Sequence, residues 1–503
     1  MFKDQLLSLQ IPWCLAAILG AVSIFLHLKN RRIAALIFLT IAALALRLSA
    51  IFLDPFLNMW DEVFHAVAAR NMMEHPRTPM LHHEPAMPIT DHWPHQHFWL
   101  HKPPFFLWLM ALSMKIFGTE IWAVRIPSAI LTSLLVPITW RMGTILRNER
   151  TGFIAAVLIA FSYLLIELTA GSVNTDHNDS IFIVMVACSI WALLEYLRSA
   201  RWQWAAAIGL FCAAAILTKW YVGLLVFLPW SLILIQREFA RPLIVHYVLA
   251  FSIAGIIAGA WLQHIWNWFP NEAAFESHDN WLRLTTPFEG HRGPWTFHLE
   301  VILDLVPPFS WWIILPAVVL LVFQVKDRAY RIILISAFLA THIFFAFAQT
   351  KMVCYTMLLL PFYMIAIANA FVFLLDQIRS SKIRSWALGI TLIILAFFVM
   401  DPDRILERHT ISIGSKEENI RRKQYIEAIQ PMNEIAAKLG DPESTAIFNF
   451  PSLHFMQFMF DHRFPTWDKM PTEADVARLQ SKGYTVHALQ DQRPLAEFPA
   501  DVI

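Results

Sequence analysis

The chain is poor in charged residues. Only 15% of its 503 residues are Asp, Glu, Lys or Arg, whereas 57% are hydrophobic. A soluble globular domain carries about one quarter charged residues, so this composition excludes an ordinary soluble domain. The formal net charge is +1. Because nucleic-acid binding proteins concentrate basic charge, we expect no nucleic-acid partner.

Cysteine is also scarce. Each cysteine lies in or beside an apolar segment, and their spacing matches neither a disulfide framework nor a zinc motif. We expect them to be small packing residues in the protein interior. The four cysteines are Cys14, Cys188, Cys212 and Cys354.

Long apolar blocks are abundant, and each is long enough to cross a bilayer, which takes roughly 20 residues. They predict an all-α polytopic membrane protein with about twelve transmembrane helices. The first block lacks a small-residue cleavage site, so we expect a true span there and no cleaved signal peptide. The predicted spans are 9–28, 33–53, 122–146, 152–170, 179–197, 203–218, 220–236, 243–263, 303–325, 332–349, 352–375 and 385–400.

Short basic clusters lie between the spans, and two predicted spans separate each cluster from the next. Cytoplasmic loops collect Lys and Arg, so the clusters predict a topology with both termini outside. The loops left on the outer face hold most of the Asp, Glu and His residues. ATP and nucleotide sugars are cytoplasmic, so chemistry on that face needs a substrate activated beforehand, or none. The basic clusters are Lys29/Arg31/Arg32, Arg147/Arg150, Arg198/Arg201, Arg237/Arg241, Lys326/Arg328/Arg331 and Arg379/Lys382/Arg384.

The first outer loop, 54–121, is the strongest candidate for a catalytic loop, because loops of this length are uncommon and usually functional. It opens with Asp61 and Glu62 next to Trp60. Adjacent carboxylates at a membrane surface can act as a general base, bind a metal or be solvated. Partial desolvation near the bilayer would make such a base more effective than one in bulk water.

Seven histidines follow in the segment 75–101. They indicate either a metal site or a polar loop at the lipid headgroups, although they lack the ligand pattern of a structural zinc site. Lys102-Pro103-Pro104 then ends the loop, and the apolar run 105–117 predicts a helix at the outer leaflet. Lys102 would lie at headgroup level, where it either holds a phosphate or is an ordinary interfacial lysine.

Other polar groups on the outer face complete the set. The loop Asn174–Asp179 brings two more carboxylates, including Asp176, and the loop 264–302 contributes His278 and Arg283. Lys351 begins the eleventh predicted span. Arg47, inside the second span, either meets a cavity or partner or extends to the interface.

The composition changes after residue 400. The pattern predicts a membrane domain over 1–400 and a small extracytoplasmic α/β domain over 401–503. Its elements are predicted as a helix over 415–439, a strand over 446–450, a helix over 473–482 and a strand over 484–488.

From Arg47 to Pro361, the motifs and their order resemble the GT-C class of membrane glycosyltransferases. The branch that they resemble holds the aminoarabinose transferases of lipid A and the protein O-mannosyltransferases. The resemblance rests on Arg47, Asp61-Glu62, Lys102-Pro103-Pro104, Arg125-Ile126-Pro127-Ser128, Asp176, Thr218-Lys219, and Lys351 with Tyr355 and Pro361.

The resemblance implies a GT-C-like fold and a sugar donor on a polyprenyl phosphate. It assigns Asp61 to the acceptor hydroxyl, Lys102 to the donor phosphate and Asp176 to the second-loop acid. Two positions depart from the aminoarabinose transferases: Phe64 replaces an Arg, and His101 replaces a Glu before the motif lysine. The resemblance therefore does not extend to specificity for aminoarabinose or lipid A.

These observations predict transfer of a sugar from a polyprenyl-phosphate donor to an acceptor, which is lipid A, a glycan or a protein, with inversion at the anomeric carbon. We expect Asp61, Glu62 and Asp176 at the catalytic centre. Fixed cations stabilise the growing charge of the leaving phosphate, for which Lys102, Arg283 and Lys351 are the candidates.

The transfer requires no cofactor. A divalent metal is the alternative, with His101 and His278 as candidate ligands. The expected location is a bacterial inner membrane, among its lipids, with the active face outside. The alternatives are a transporter or flippase of lipid-linked substrates, and a non-catalytic scaffold. The acidic groups lie in outer loops and no inverted pair of broken helices is evident, which disfavours transport.

Overall fold

The computed structural model describes residues 2–58, 61–82, 87, 93–171, 178–306, 309–401, 416–452 and 454–489. Within these ranges the chain is mainly helical, with one small sheet near its end. The helices of the first four hundred residues are α1 (Phe2–Leu28), α2 (Arg32–Ala50), α3 (Asp61–Asn71), α4 (Pro104–Phe117), α5 (Ile121–Leu146), α6 (Glu149–Ala160), α7 (Tyr163–Ala170), α8 (Asp179–Ser199), α9 (Trp202–Lys219), α10 (Phe227–Gln236), α11 (Arg241–Trp268), α12 (Pro270–Thr285), α13 (Phe297–Glu300), α14 (Ile302–Leu305), α15 (Trp311–Gln324), α16 (Arg328–Phe347), α17 (Leu360–Leu375) and α18 (Ser381–Met400).

Among the described residues, 10 helical segments are long and apolar enough to cross a membrane, which makes the chain an integral, multi-pass membrane protein. The all-α polytopic class is confirmed. The sequence predicted about twelve spans, and two segments account for the difference. The segment 303–325 was predicted as one span but forms α14 and the separate 14-residue helix α15. The segment Trp202–Gln236 is counted as one candidate of 35 residues.

That 35-residue segment reverses direction at its middle. Trp220 has a φ of 54°, and a 3₁₀ helix over Trp220–Val226 returns along the end of α9. The Cys212 thiol lies 3.2 Å from the Gly223 carbonyl oxygen, although a straight helix would separate residues 11 positions apart by roughly 16 Å. The two predicted spans 203–218 and 220–236 are therefore the two legs of a hairpin, with Lys219 at its turn.

Arg47 binds the end of a neighbouring helix. Its side chain is fully buried, and its guanidinium donates to the carbonyl oxygens of Ile159 at 2.9 Å and Ala160 at 3.1 Å. These are the last residues of α6, where backbone carbonyls have no partner within the helix and carry partial negative charge. Of the two alternatives for this arginine, the structure shows the interior partner.

The centre of the membrane part is formed by α6, α7 and α8. The candidate span Glu149–Ala170 is 100% buried within the protein and Asp179–Ser199 is 89% buried, whereas Arg241–Trp268 and Ser381–Met400 are each only 22% buried. A helix that is apolar on all sides belongs in the interior of a bundle. The inner helices therefore support the polar loops at their ends, while the outer helices face lipid.

The C-terminal segment forms the small α/β unit that the pattern predicts. It contains α19 (Lys416–Lys438), β1 (Thr445–Phe448), α20 (Phe455–His462), α21 (Glu473–Ser481) and β2 (Thr485–Ala488). The strands pair in parallel, with Thr445 opposite Thr485 and Phe448 opposite Ala488. Because parallel strands need a crossover connection, α20 and α21 lie between them; α20 was not predicted from the sequence.

This unit packs against the first loop, 54–121. Arg70, near the end of α3, donates to the carbonyl oxygens of Met459 at 2.5 Å and Phe460 at 2.8 Å. On the other side, His95 lies 2.6 Å from the carboxylate of Asp468. The C-terminal unit thus holds the first loop at two points, which gives that unit a position that the sequence alone did not indicate.

We expect Arg70→Ala to weaken this attachment. The change removes two charge-assisted hydrogen bonds to buried carbonyls, each worth roughly 1.5–3 kcal/mol, so the melting temperature in detergent should fall by several degrees. Arg478→Ala, an exposed residue of α21, is the control and should leave the melting temperature unchanged. Equal melting temperatures for Arg70→Ala and wild type would show that the contact contributes no stability.

Candidate functional site

Asp61 and Lys102 lie together at the membrane end of the first loop. The Lys102 ammonium is 3.5 Å from an Asp61 carboxylate oxygen, and both side chains are largely buried. α3 begins at Asp61, and α4 begins two residues after Lys102 with Pro104 in its first turn. The helix after the Lys-Pro-Pro motif is therefore present as predicted, and Lys102 precedes an N-terminus that itself favours anions.

Glu62 lies in a different environment from Asp61. It is 1% exposed and accepts two hydrogen bonds from the Arg125 guanidinium, from Nε at 2.7 Å and from Nη2 at 3.0 Å. It also accepts from the Asn58 backbone N–H at 2.7 Å. A carboxylate bound in this way joins α3 to α5. Its catalytic role stays a prediction, and its contacts favour one of holding the loop.

A cavity of about 540 Å³ opens beside Lys102. Its apolar walls come from residues 220–228, at the start of the returning leg of the hairpin, from the second half of α16, and from residues 352–358. Its charged, imidazole and amide side chains come from the first loop, the start of α8, the end of α9 and α12. They are His101, Lys102, Asp179, Lys219, Asn280 and Arg283.

The cavity reaches the lipid-facing surface. Three of its lining residues, Tyr221, Leu228 and Phe344, remain 64%, 42% and 47% exposed respectively. These residues belong to the hairpin and to α16. The cavity therefore combines a polar end with an apolar groove that is open to the membrane.

Lys219 is a site residue that the sequence analysis did not assign. Its ammonium is 2.6 Å from the buried Asp179 carboxylate and 5.7 Å from the centre of the Tyr355 ring. The available signal was a single lysine between two apolar segments, because a charge inside a membrane region usually marks a functional site. The hairpin places this lysine at the cavity together with Lys102.

Arg283 reaches the cavity from α12. Its guanidinium lies 4.5 Å from the centre of the Phe288 ring, and Nη2 is 3.4 Å from His101 Nε2. The other imidazole nitrogen, Nδ1, is 3.3 Å from Glu276. Burial lowers the pKa of His101, so the neutral imidazole is favoured. Burial also raises the pKa of Asp279, with the nearby Glu276 adding to the effect.

Lys351 is not among the residues that line this cavity. Its ammonium donates to the carbonyl oxygens of Phe345 and Ala346, each at 2.7 Å, at the end of α16. Burial lowers its pKa. The structure therefore places Lys102, Arg283 and Lys219 at one cavity, whereas Lys351 binds a helix terminus.

The two candidate metal ligands lie on different surfaces. His101 is buried between Glu276 and Arg283, whereas His278 is exposed on α12, two residues after Glu276. Residues two positions apart point in different directions on a helix. Across the part of the chain that the structure describes, no group of three or more His, Cys, Asp or Glu side chains could hold a metal. Asp176 lies outside the described residues, so its role stays a prediction.

Comparison with known proteins gives consistent matches. Residues 101–261 match the family described as dolichyl-phosphate-mannose-protein mannosyltransferase. An undecaprenyl phosphate-α-4-amino-4-deoxy-L-arabinose arabinosyl transferase of Pseudomonas fluorescens Pf-5 is 26% identical over 242 residues, 46% of this chain and 43% of that protein. The chain thus spans less than half the length of that relative.

Two solved structures are similar over most of the chain. ArnT from Cupriavidus metallidurans, bound to undecaprenyl phosphate, matches with a TM-score of 0.62 and 16% identity, over 90% of this chain and 89% of that one. The oligosaccharyltransferase AglB from Archaeoglobus fulgidus matches with a TM-score of 0.52 and 11% identity, over 90% and 69%. The chain therefore has the GT-C fold, and the resemblance predicted from its motifs is confirmed.

Gly171 offers a test of the arrangement around Glu62. Its φ is +66°, and a Cβ placed there would lie 2.3 Å from a Glu62 carboxylate oxygen. We expect Gly171→Ala to displace the Glu62–Arg125 pair and to lower the melting temperature more than Gly483→Ala does. Gly483 also has a positive φ, +87°, but no atom lies within 4 Å of its Cβ position. Equal decreases in melting temperature for the two variants would show that backbone strain alone accounts for both.

Proposed function

We propose that the protein transfers a sugar from a polyprenyl-phosphate donor to an acceptor hydroxyl on the extracytoplasmic side of a bacterial inner membrane. The observation that carries this proposal is the cavity with cations at one end and an apolar, lipid-open groove at the other. A polyprenyl-phosphate sugar has the same division between an anionic head and a long hydrocarbon tail. The names of the relatives support the same donor class, since they include an undecaprenyl phosphate-linked aminosugar.

In the proposed reaction, the donor phosphate lies among Lys102, Arg283 and Lys219. The C1–oxygen bond to the phosphate breaks as the acceptor oxygen attacks C1 from the opposite face. Negative charge grows on the leaving phosphate, and cations fixed in a partly buried site stabilise it more than water does. A single displacement inverts the anomeric centre.

Asp61 accepts the proton of the acceptor hydroxyl. It lies 3.5 Å from Lys102, so base and phosphate site adjoin. Asp176 remains the proposed second acid of the site. Lys351 remains a proposed cation for the donor phosphate, and it would act from the end of α16, where its ammonium binds two backbone carbonyls. The acceptor is a lipid, glycan or protein; no cofactor is required, and a divalent metal stays open.

The charge distribution supports the proposed orientation. Several basic side chains bind acidic or amide groups at the helix ends that lie opposite the cavity. Arg150 bonds Asp376 at 2.6 Å, Arg384 approaches the same carboxylate at 3.9 Å, and Arg147 bonds Gln324 at 3.0 Å. Because basic loops collect on the cytoplasmic side, we propose that the cavity opens on the other side. The division into a membrane domain, 1–400, and an extracytoplasmic unit, 401–503, stays part of this proposal.

The direct test is transfer in vitro with purified protein, radiolabelled undecaprenyl-phosphate sugars and a membrane extract as acceptor. We expect Asp61→Asn to lower transfer by roughly 10²–10⁴-fold, because it removes the base. Lys102→Ala should lower it by about 10²–10³-fold, because it removes a cation at the leaving group. Glu74→Gln and Lys115→Ala, which change exposed residues of the same loop, are the controls.

Full transfer by Asp61→Asn would contradict the assignment of Asp61 as the base. If no sugar were consumed from a broad donor panel, the enzyme assignment itself would be contradicted. Proteoliposomes would then be assayed for movement of the same lipid-linked sugars across the bilayer. Movement without transfer would establish the transporter or flippase alternative.

The apolar groove makes a separate prediction. Ala340 lines the cavity, whereas its neighbour Leu339 is 54% exposed to the outside. We expect Ala340→Trp to fill the groove and raise the KM for an undecaprenyl donor at least about tenfold, since the loss of a few buried methylenes costs more than 1.4 kcal/mol. A donor with a short prenyl chain should be affected less. Leu339→Trp is the matched control, and equal KM values for the two variants would place the tail elsewhere.

A further inference from the structure

Glu276 and Arg283 hold the two nitrogens of one imidazole from the same helix. They are seven residues apart on α12, so they lie on the same face. Glu276 Oε2 is 3.3 Å from His101 Nδ1, and Arg283 Nη2 is 3.4 Å from His101 Nε2. Glu276 is 5% exposed and His101 is 7% exposed, so this contact is buried, whereas Arg283 is half-buried.

The direction of these bonds follows from the chemistry of the groups. A guanidinium only donates hydrogen bonds, so His101 Nε2 is the acceptor in its contact with Arg283. In a neutral imidazole the proton then lies on Nδ1, which donates to the Glu276 carboxylate. The Trp93 ring stacks on the imidazole at 4.5 Å with an interplanar angle of 12°. The ring is thereby fixed in both orientation and tautomer.

Arg283 makes two further contacts, one with Phe288 and one with Thr350. Its guanidinium rests on the Phe288 ring, and its backbone carbonyl oxygen accepts from the Thr350 N–H at 3.1 Å. A guanidinium has five N–H donors, and His101 takes one along one edge. The contact with His101 therefore decides which donors face the cavity beside Lys102.

We infer that Glu276 is a positioning residue for phosphate binding: through His101 it fixes the edge that Arg283 presents to the cavity. The inference rests on the proposed function. An imidazole between the two charges also keeps the carboxylate away from the guanidinium. Coulomb attraction weakens with distance, so Arg283 is oriented without being neutralised by a direct ion pair. Glu276 acts through His101 and is not itself a group that touches the substrate.

The test uses the full-length protein in detergent, with undecaprenyl phosphate as the probe and calorimetry as the measurement. We expect Glu276→Ala to raise the Kd about tenfold or more, the scale of a lost hydrogen bond to a charged group. Glu276→Gln retains an acceptor oxygen and should stay within about threefold of wild type. Glu272→Ala, equally buried one turn earlier on α12, is the control and should bind as wild type does.

A double-mutant cycle separates positioning from a general structural effect. In an Arg283→Ala background, Glu276→Ala should cause less than about a twofold further loss, because the residue that it orients is gone. The inference is overturned if the losses in affinity of the two single variants multiply in the double variant. It is also overturned if Glu276→Ala binds undecaprenyl phosphate as tightly as wild type does. If wild type itself does not bind undecaprenyl phosphate, the proposed function fails instead.

A second variant covers the case in which Glu276→Ala does not fold. Glu276→Asp keeps the charge but withdraws the oxygen from His101 Nδ1. The positioning role is supported if this variant binds undecaprenyl phosphate more weakly than wild type and if the same change has no further effect in the Arg283→Ala background. Unchanged binding contradicts it.

Discussion

The buried pair of Glu62 and Arg125 is the interaction on which the candidate site depends. A buried ion pair is favourable only when its remaining donors and acceptors are satisfied. Here Arg125 also donates to the backbone oxygens of Ile51, Asp54 and Phe56. One side chain of α5 thus binds the end of α2, the following loop and the first turn of α3. Because Asp61 is the residue before Glu62, the same network fixes where the proposed base lies.

The first loop is held from two sides, and each side contributes a different kind of interaction. On the membrane side, ions and backbone carbonyls bind its ends. On the other side, the C-terminal unit packs apolar and aromatic surface against it, with His82 stacked on Trp467 at 4.6 Å and Phe56 on Tyr425 at 4.8 Å. Loops carry function best when a rigid scaffold positions them. A unit whose role the sequence left open therefore serves to order the loop.

The sequence predicted most of what depends on local pattern. Hydropathy located the spans, Pro104 located the start of α4, and the local pattern located both strands of the C-terminal unit. It failed where a side chain's direction is set by tertiary packing. Lys219 and Lys351 are both lysines at the ends of apolar segments, yet one lines the cavity and the other binds the end of α16. Likewise, nothing in the spacing of His101, Glu276 and Arg283 reveals that they meet, since 175 residues separate the first two.

The balance of charge in the cavity gives Arg283 a special place among its cations. Lys102 faces Asp61 and Lys219 faces Asp179, each within ion-pair distance, so both lysine charges are offset by neighbouring carboxylates. Arg283 instead contacts a neutral imidazole, and among the described residues no carboxylate forms an ion pair with it. In the proposed function, phosphate binding at Arg283 therefore breaks no ion pair among the described residues, whereas binding at Lys102 or Lys219 displaces a carboxylate from the lysine.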